Sequence, residues 1–206
     1  MMIRIWEEEV HFHKGYAFAC TENTVATPYR LIFKKTKTSE YLRRLKYSDD
    51  FSVIVPIVSE IAANNEAREF LEGGILIAVQ TAKKRNIQPV EQLAQALSVK
   101  LSLNYIADAI PCEIVDTTAP IPEAQRAKNR DYVHYYIPDT EKLRDVRRDA
   151  KIILFDDYYD TGSTMRCAAG ALEDIGFTNV NVFTVGYTKA AKKRFMQNHR
   201  NTRKKN

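Results

Sequence analysis

The segment Asp156 to Thr164 reads DDYYDTGST and concentrates residues that could bind a phosphorylated sugar. Asp156 and Asp157 are adjacent, and two crowded carboxylates are unfavourable unless they meet hydrogen-bond donors or cations. A turn of small, hydroxyl-bearing residues follows, from Asp160 onward, and runs into a predicted helix. Free N–H groups and the dipole at a helix N-terminus favour a phosphate, and Gly162 allows close approach or a positive φ. The pattern therefore predicts sugar hydroxyls at the acidic pair and a phosphate at the turn.

The elements around this segment predict a βαβ unit. Residues 151–155 form an apolar run typical of a buried parallel strand. Residues 164–175 carry apolar side chains at helical spacing, with Gly176 as a C-terminal cap, and residues 181–185 predict the next strand. Strands and helices alternate across residues 53–186, which predicts a doubly wound α/β fold with a mostly parallel sheet. Ligands of such folds bind at the carboxyl ends of the strands.

Other parts of the chain carry weaker signals. Residues 28–47 are basic and match no clear pattern, and residues 116–149 are polar and irregular, as functional loops or lids often are. The remaining predicted elements are one or two strands in residues 2–20, a helix in 59–71 that stops at Gly73 and Gly74, a buried strand in 75–79, a helix in 89–101, a strand near 107–115 broken at Pro111, and a short strand or hairpin arm in 132–137.

Composition narrows the class of protein. The 206 residues, 45% of them hydrophobic, suit one domain with a sizeable core. The apolar runs are too short to span a bilayer, and the N-terminus has no apolar stretch of signal-peptide length. The three cysteines are far apart and form no CxxC pair, so neither a zinc ribbon nor a disulfide framework is indicated. We therefore expect a cytoplasmic protein that does not contact a membrane.

The positive charge is concentrated at the C-terminus. Residues 189–206 carry eight of the 31 Lys and Arg residues and no acidic residue, which leaves 23 basic against 26 acidic residues in the rest of the chain. One interpretation is a solvated, frayed terminus. The other is an electrostatic contact with nucleic acid, such as single-stranded DNA.

The string ILFDDYYDTGST resembles the signature of type I phosphoribosyltransferases that binds 5-phosphoribosyl-1-pyrophosphate (PRPP). That signature has four apolar residues, an acidic pair, two usually aliphatic residues and a loop of the form [Ser/Thr/Asp]-Thr-Gly-x-Thr. Tyr158 and Tyr159 stand where the family usually has its aliphatic pair.

A weaker resemblance covers about residues 42–188 and favours the ComF (competence-associated) branch. It is carried by Leu45-Lys46-Tyr47, by ILIAVQTAKKRN and by PEAQRAKNRDYVHYYI, in which Glu123, Arg126 and Asn129 match an E-x-x-R-x-x-N element. Two features depart from that branch: the chain has no N-terminal zinc ribbon, and Ala78-Val79-Gln80 replaces the usual PVP strand.

The resemblance implies a fold of the type I phosphoribosyltransferase kind, with a small N-terminal hood in residues 1–50, a core in 51–188 and a basic tail in 189–206. It implies PRPP, Mg²⁺ and a nitrogenous acceptor as ligands, and a homodimer is plausible for the class. Asp156 and Asp157 would bind the ribose and, through PRPP, the metal. The 5′-phosphate would be bound by the turn, that is by Asp160, Thr161, Gly162, Ser163 and Thr164.

The same resemblance implies two further groups of residues. The pyrophosphate would be bound by Lys83, Lys84, Arg85 and Arg126. Catalysis would use Asp160, Arg126 and Lys128, with loop closure keeping water from the oxocarbenium-like centre. Asp160 is either a general base toward the acceptor or simply a cap of the following helix.

Three functional hypotheses remain open from the sequence. The first is a transferase that moves the phosphoribosyl group of PRPP to a nitrogen nucleophile. The second is a regulator that senses PRPP without turning it over, which the altered segment Ala78-Val79-Gln80 favours. The third is a competence-type accessory protein that contacts single-stranded DNA through residues 189–206.

Overall fold

The computed structural model describes residues 3–5, 14–20, 37–80, 86–114, 134–136, 138–159 and 162–187. A one-turn 3₁₀ helix at Phe51–Val53 precedes the second α-helix. The strands are β1 (Ile3–Ile5), β2 (Lys14–Cys20), β3 (Ile75–Ala78), β4 (Asn104–Tyr105), β5 (Cys112–Ile114), β6 (His134–Tyr136), β7 (Ile152–Tyr159) and β8 (Val180–Tyr187). The α-helices are α1 (Lys37–Ser48), α2 (Ile54–Ala63), α3 (Asn65–Leu71), α4 (Pro89–Leu101) and α5 (Ser163–Asp174).

The described strands form a six-stranded sheet in the order β1-β2-β8-β7-β3-β4 and a separate pair, β5-β6. Within the large sheet only β1 runs antiparallel to its neighbour, β2. The other four pairings are parallel. The predicted α/β fold with a mostly parallel sheet is therefore confirmed.

Helices cover both faces of the sheet, and each face has its own apolar core. Ile153 and Phe155 of β7 pack with residues of α1, α2 and α4 on one face. Ile152 and Leu154, which alternate with them, pack with Met165 and other residues of α5 on the opposite face. Because both faces are covered, the residues of β7 and β8 are buried at nearly every position rather than at alternate ones.

One predicted helix proved to be two. Instead of a single helix over residues 59–71, the chain forms α2 and α3 with a break at Asn64. The backbone of Asn64 is extended, and its side-chain oxygen accepts a hydrogen bond of 2.9 Å from the N–H of Ala67. Asn is a favoured N-cap because its side chain satisfies a free N–H of the first turn. The helix predicted for residues 89–101 is confirmed with the same bounds.

The strand predicted near residues 107–115 is shorter than expected. Only β5 lies within that range, and it pairs antiparallel with β6 rather than with the large sheet. The edge of the large sheet is instead β4, two residues that pair in parallel with β3. The prediction of a hairpin arm in residues 132–137 is confirmed by β6.

The N-terminal portion contributes to the main sheet. One or two strands were predicted in residues 2–20, and the described residues form two, of which β2 pairs in parallel with β8. The basic segment without a clear pattern contains α1, which buries Leu42 and Leu45 against the sheet. The division of the chain near residues 50 and 188 stays a prediction. Within the ranges described, no helix has the length and apolar character needed to cross a bilayer.

Candidate functional site

The acidic pair lies inside β7, not after it. The strand was predicted to end at Phe155, but it continues to Tyr159. Asp156 is in register with Thr184 of β8, and Tyr158 is in register with Gly186. Because β8 extends to Tyr187, it continues to pair with the backbone of β7 beyond the apolar run, and paired backbone groups can be buried.

Successive side chains of a strand point to opposite faces of the sheet, so the two carboxyl groups diverge. Asp156 follows Leu154 on the face covered by α5, and Asp157 follows Phe155 on the face covered by α1. Both residues are buried, with 6% of Asp156 and 9% of Asp157 exposed. The pair therefore presents one carboxyl group on each side of β7.

A lysine from α1 meets Asp157. The Nζ atom of Lys46 lies 3.3 Å from Oδ1 and 3.2 Å from Oδ2 of Asp157, so the ammonium group contacts both carboxylate oxygens. The same Nζ atom lies 4.3 Å from the centroid of the Tyr158 ring. Lys46 is thus held by an ion pair and by an aromatic face next to the acidic pair.

Asp156 lies in a more enclosed place. Its Oδ1 accepts a hydrogen bond of 2.7 Å from the N–H of Asp157. Burial, and then the charge of Asp157, raise the pKa of Asp156 well above its usual range, with Lys46 opposing the rise. Thr184, its neighbour in register, is fully buried, and its hydroxyl has no hydrogen-bond partner among the described residues.

The start of α5 has the backbone expected of an anion site. Gly162 has φ +82° and is the N-cap of α5, and as a glycine it has no side chain that could cap the helix. Its carbonyl accepts a hydrogen bond of 2.9 Å from the N–H of Arg166. The N–H groups of the first turn, at Ser163 and Thr164, have no intrahelical acceptor by the geometry of helix ends. Asp160 and Thr161 lie outside the described residues.

Gly162 also packs directly against the end of β7. A Cβ atom at this position would lie 2.8 Å from Cζ of Tyr159 and would overlap its hydroxyl. The start of α5 therefore lies at the carboxyl end of β7, two residues beyond Asp157 along the strand. This contact places the predicted phosphate turn and the acidic pair at the same edge of the sheet.

The residues predicted to bind pyrophosphate, Lys83, Lys84, Arg85 and Arg126, lie outside the described residues, as does Lys128. The structure does describe the chain just before and after these segments. The hydroxyl of Tyr136 in β6 donates a hydrogen bond of 3.1 Å to the carbonyl of Gln80. Gln80 precedes the predicted basic turn in the sequence, and β6 follows the predicted loop. The hydrogen bond therefore joins a residue just before the first segment to a residue just after the second.

Gln80 is held through its side chain as well. Its Nε2 donates to Oε1 of Glu91 at 3.4 Å and also to Asp108. Glu91 lies in the first turn of α4, and its carboxylate also accepts from the hydroxyl of Tyr105. Burial is the largest cause that raises the pKa of Glu91 above its usual value. Gln80, which departs from the PVP pattern, thus anchors the start of the predicted pyrophosphate turn.

Sequence reasoning assigned no role to two cations at this edge. Lys46 belongs to the tripeptide Leu45-Lys46-Tyr47 of the weaker resemblance, but its position beside the acidic pair is shown by its contact with Asp157. Arg166 lies in the first turn of α5, with Nη1 3.1 Å from the position of a Cβ atom on Gly162. A cation at a helix N-terminus is unfavourable with respect to the helix dipole, and this was a usable signal for an anion nearby.

The described residues offer no dedicated metal cage. No group of three or more His, Cys, Asp or Glu side chains among them could hold a metal ion. Asp156 and Asp157 point to opposite faces of the sheet, so they do not form a joint chelate. Mg²⁺ often keeps several waters and binds substrate phosphates, a mode that would require no cage of protein ligands.

No family model matches the sequence, and no curated protein matches it. The structure is similar to solved phosphoribosyltransferases. A purine phosphoribosyltransferase from Pyrococcus horikoshii is 14% identical, with 68% of this chain and 76% of that chain covered and a TM-score of 0.43. Adenine phosphoribosyltransferase from Saccharomyces cerevisiae is 13% identical, with 71% and 75% covered and a TM-score of 0.44. Orotate phosphoribosyltransferase from Aeropyrum pernix is 14% identical, with 81% and 72% covered and a TM-score of 0.38.

Proposed function

We propose that this protein binds PRPP with Mg²⁺ at the carboxyl end of β7 and transfers the phosphoribosyl group to a nitrogenous acceptor, releasing pyrophosphate. The observation that carries the proposal is that the buried pair Asp156 and Asp157 lies near the start of α5. The N-cap of that helix, Gly162, has a positive φ and packs against Tyr159 at the end of the same strand. Carboxylates accept hydrogen bonds from the ribose hydroxyls, and the N–H groups at the start of α5 donate hydrogen bonds to the 5′-phosphate.

The roles follow from the positions of the groups. We assign the ribose hydroxyls to Asp156 and Asp157, whose carboxylates would fix the orientation of the sugar. The N–H groups of Gly162, Ser163 and Thr164, with Asp160 and Thr161, take the 5′-phosphate. The ring is thereby held at both ends, and this positioning is the main contribution that such a site can make to the reaction.

The pyrophosphate end of the ligand is assigned to residues outside the described ranges. In this proposal Lys83, Lys84, Arg85 and Arg126 bind the leaving group, and Arg126 and Lys128 neutralise its growing negative charge. Asp160 accepts the proton of the acceptor nitrogen. Mg²⁺, bound through PRPP, supplies further neutralisation of the pyrophosphate. The hydrogen bond from Tyr136 to Gln80 supports this assignment, because it joins the ends of the two segments that carry these cations.

The test is calorimetric titration of PRPP with Mg²⁺ into the wild-type chain and into Asp157→Asn. We expect the wild-type chain to bind and the variant to bind at least about tenfold more weakly, since a hydroxyl loses a charged acceptor. Asp145→Asn is the matched control, because its side chain is 93% exposed outside the site. Separate titrations of ribose 5-phosphate and of pyrophosphate measure how much of the affinity for PRPP comes from its sugar-phosphate end and how much from its pyrophosphate end.

A folded wild-type chain that does not bind PRPP would contradict the proposal. Binding, once established, is followed by incubation with nucleobases and measurement of released pyrophosphate. Release that depends on the acceptor identifies a transferase. Binding without release from any acceptor would instead support the sensing role.

A further inference from the structure

Lys46 belongs to α1, outside the βαβ unit that carries the acidic pair, yet it reaches both oxygens of Asp157. The contact joins residues 111 positions apart in the chain. The side chain of Lys46 is 36% exposed, whereas that of Asp157 is only 12% exposed. The carboxylate is therefore largely removed from water, and the ammonium group replaces part of the lost hydration.

Tyr158 gives Lys46 a second contact. The Nζ atom lies 4.3 Å from the ring centroid, a distance at which an aromatic face attracts a cation. Tyr158 is one of the two residues that depart from the aliphatic pair of the phosphoribosyltransferase signature. An aliphatic side chain has no such face. The tyrosine at position 158 therefore gives Lys46 a contact that the usual residue of the signature could not provide.

We propose that Lys46 is a positioning residue of the sugar-phosphate site, which aims Asp157 and balances its charge so that PRPP binds with less dependence on Mg²⁺. This inference rests on the proposed function. PRPP is a polyanion, and an uncompensated pair of carboxylates would repel it. With Lys46 in place, the protein itself supplies one of the positive charges that the complex needs.

The discriminating measurement is the Kd of PRPP over a series of Mg²⁺ concentrations, compared between wild type and Lys46→Met. Met keeps an unbranched apolar stem and removes the charge. We expect the Kd to rise about tenfold or more at the lowest Mg²⁺ concentration. We also expect a steeper fall of Kd as Mg²⁺ increases, because the metal then replaces the lost charge. A merely structural role would not change that slope.

Two further variants complete the design. Lys46→Arg keeps the charge and is expected to recover most of the affinity and the wild-type slope. Lys100→Met makes the same chemical change on an exposed lysine of α4 and is expected to change neither quantity. Tyr158→Leu removes the aromatic face without touching Lys46 and is expected to shift Kd in the same direction by less. Tyr158→Phe keeps the face and serves as its control.

Two results would overturn the inference while leaving the proposed function intact. One is wild-type binding with an unchanged Kd and slope in folded Lys46→Met. The other is a uniform weakening at every Mg²⁺ concentration, which would indicate a structural role. If Lys46→Met does not fold, an unchanged slope in Tyr158→Leu overturns the inference. A wild-type chain that fails to bind PRPP overturns the proposed function and the inference together.

Discussion

At the scale of single residues, the burial of Asp156 lowers the stability of the folded chain at neutral pH. Asp156 is buried next to a second carboxylate, and burial first and Asp157 second raise its pKa. Its pKa in the folded chain therefore lies above the unfolded value of about 3.9. Between these two values the unfolded chain releases the proton more readily than the folded chain. Stability is accordingly lost as the pH rises from about 4 through the folded pKa.

Asp156→Asn should therefore stabilise the protein while weakening the site. The amide has no charge to desolvate, and its oxygen can still accept the 2.7 Å hydrogen bond from the N–H of Asp157. We expect the free energy of unfolding at pH 7 to rise, because the variant has no carboxylate to bury. The gain should shrink as the pH falls and disappear below about 4, where the wild-type carboxyl group becomes protonated in the unfolded chain as well as in the folded chain.

Urea unfolding of both chains across this pH range measures the effect, and PRPP titration shows the loss of binding. A variant that is less stable than the wild type at pH 7 would contradict this account of Asp156. Such a result would mean that interactions in the folded chain stabilise the carboxylate of Asp156 by more than its burial and the charge of Asp157 destabilise it.

At the scale of elements, the junction between β7 and α5 positions the phosphate turn. Gly162 combines a left-handed backbone with a close contact to Tyr159, which is 3% exposed and fixed in the core. The N-cap residue is this glycine, although Ser, Thr, Asp and Asn are the favoured caps. A glycine here leaves room for a ligand to approach the first-turn N–H groups.

Gly162→Ala should destabilise the protein by about 2 kcal/mol or more, through backbone strain and through the clash with Tyr159. Gly73→Ala is the matched control, because Gly73 has φ +68° but no atom within 4 Å of an added Cβ. That variant should show only the cost of the backbone conformation, about 1 kcal/mol. Chemical denaturation of both variants measures the difference, and equal losses would contradict the role given to Tyr159.

At the scale of the whole molecule, the parallel sheet gathers distant segments at one edge. Parallel strands end at the same side, so the end of β3 and the start of α5 both lie near the end of β7, and Lys46 of α1 contacts the same region. Lys46 contacts Asp157 across 111 positions, and Tyr136 contacts Gln80 across 56. The basic residues 189–206 lie outside the described part of the chain.

Deleting residues 189–206 changes the formal net charge from +5 to −3. We expect PRPP binding to be unchanged, because the residues assigned to the ligand all precede the deletion. We expect affinity for single-stranded DNA to fall and its salt dependence to become weaker, since fewer phosphates are neutralised. Fluorescence anisotropy at several salt concentrations measures both quantities. An unchanged DNA affinity would contradict the nucleic-acid interpretation of the tail.

The sequence by itself determined the local unit of the site. The apolar run before Asp156, the spacing of apolar residues in α5 and the position of Gly162 are all read within a short window. They predicted a strand before the acidic pair and a helix after it, although the observed strand continues through the pair to Tyr159. Such signals come from side-chain periodicity and backbone preference, which depend on near neighbours. The helix 89–101 was predictable for the same reason, because Pro89 opens it and one face is apolar.

Only the tertiary structure decided how that unit is completed. β7 extends through Asp156 and Asp157 because β8 pairs with it that far. The division of the two carboxyl groups between the faces of the sheet follows from that register, and Lys46 reaches one of them from α1. Asn64 and Gln80 acquired their roles from hydrogen bonds to particular partners. Pairing between β7 and β8 and the contact between Lys46 and Asp157 join distant parts of the chain, and no periodicity in a short window encodes them.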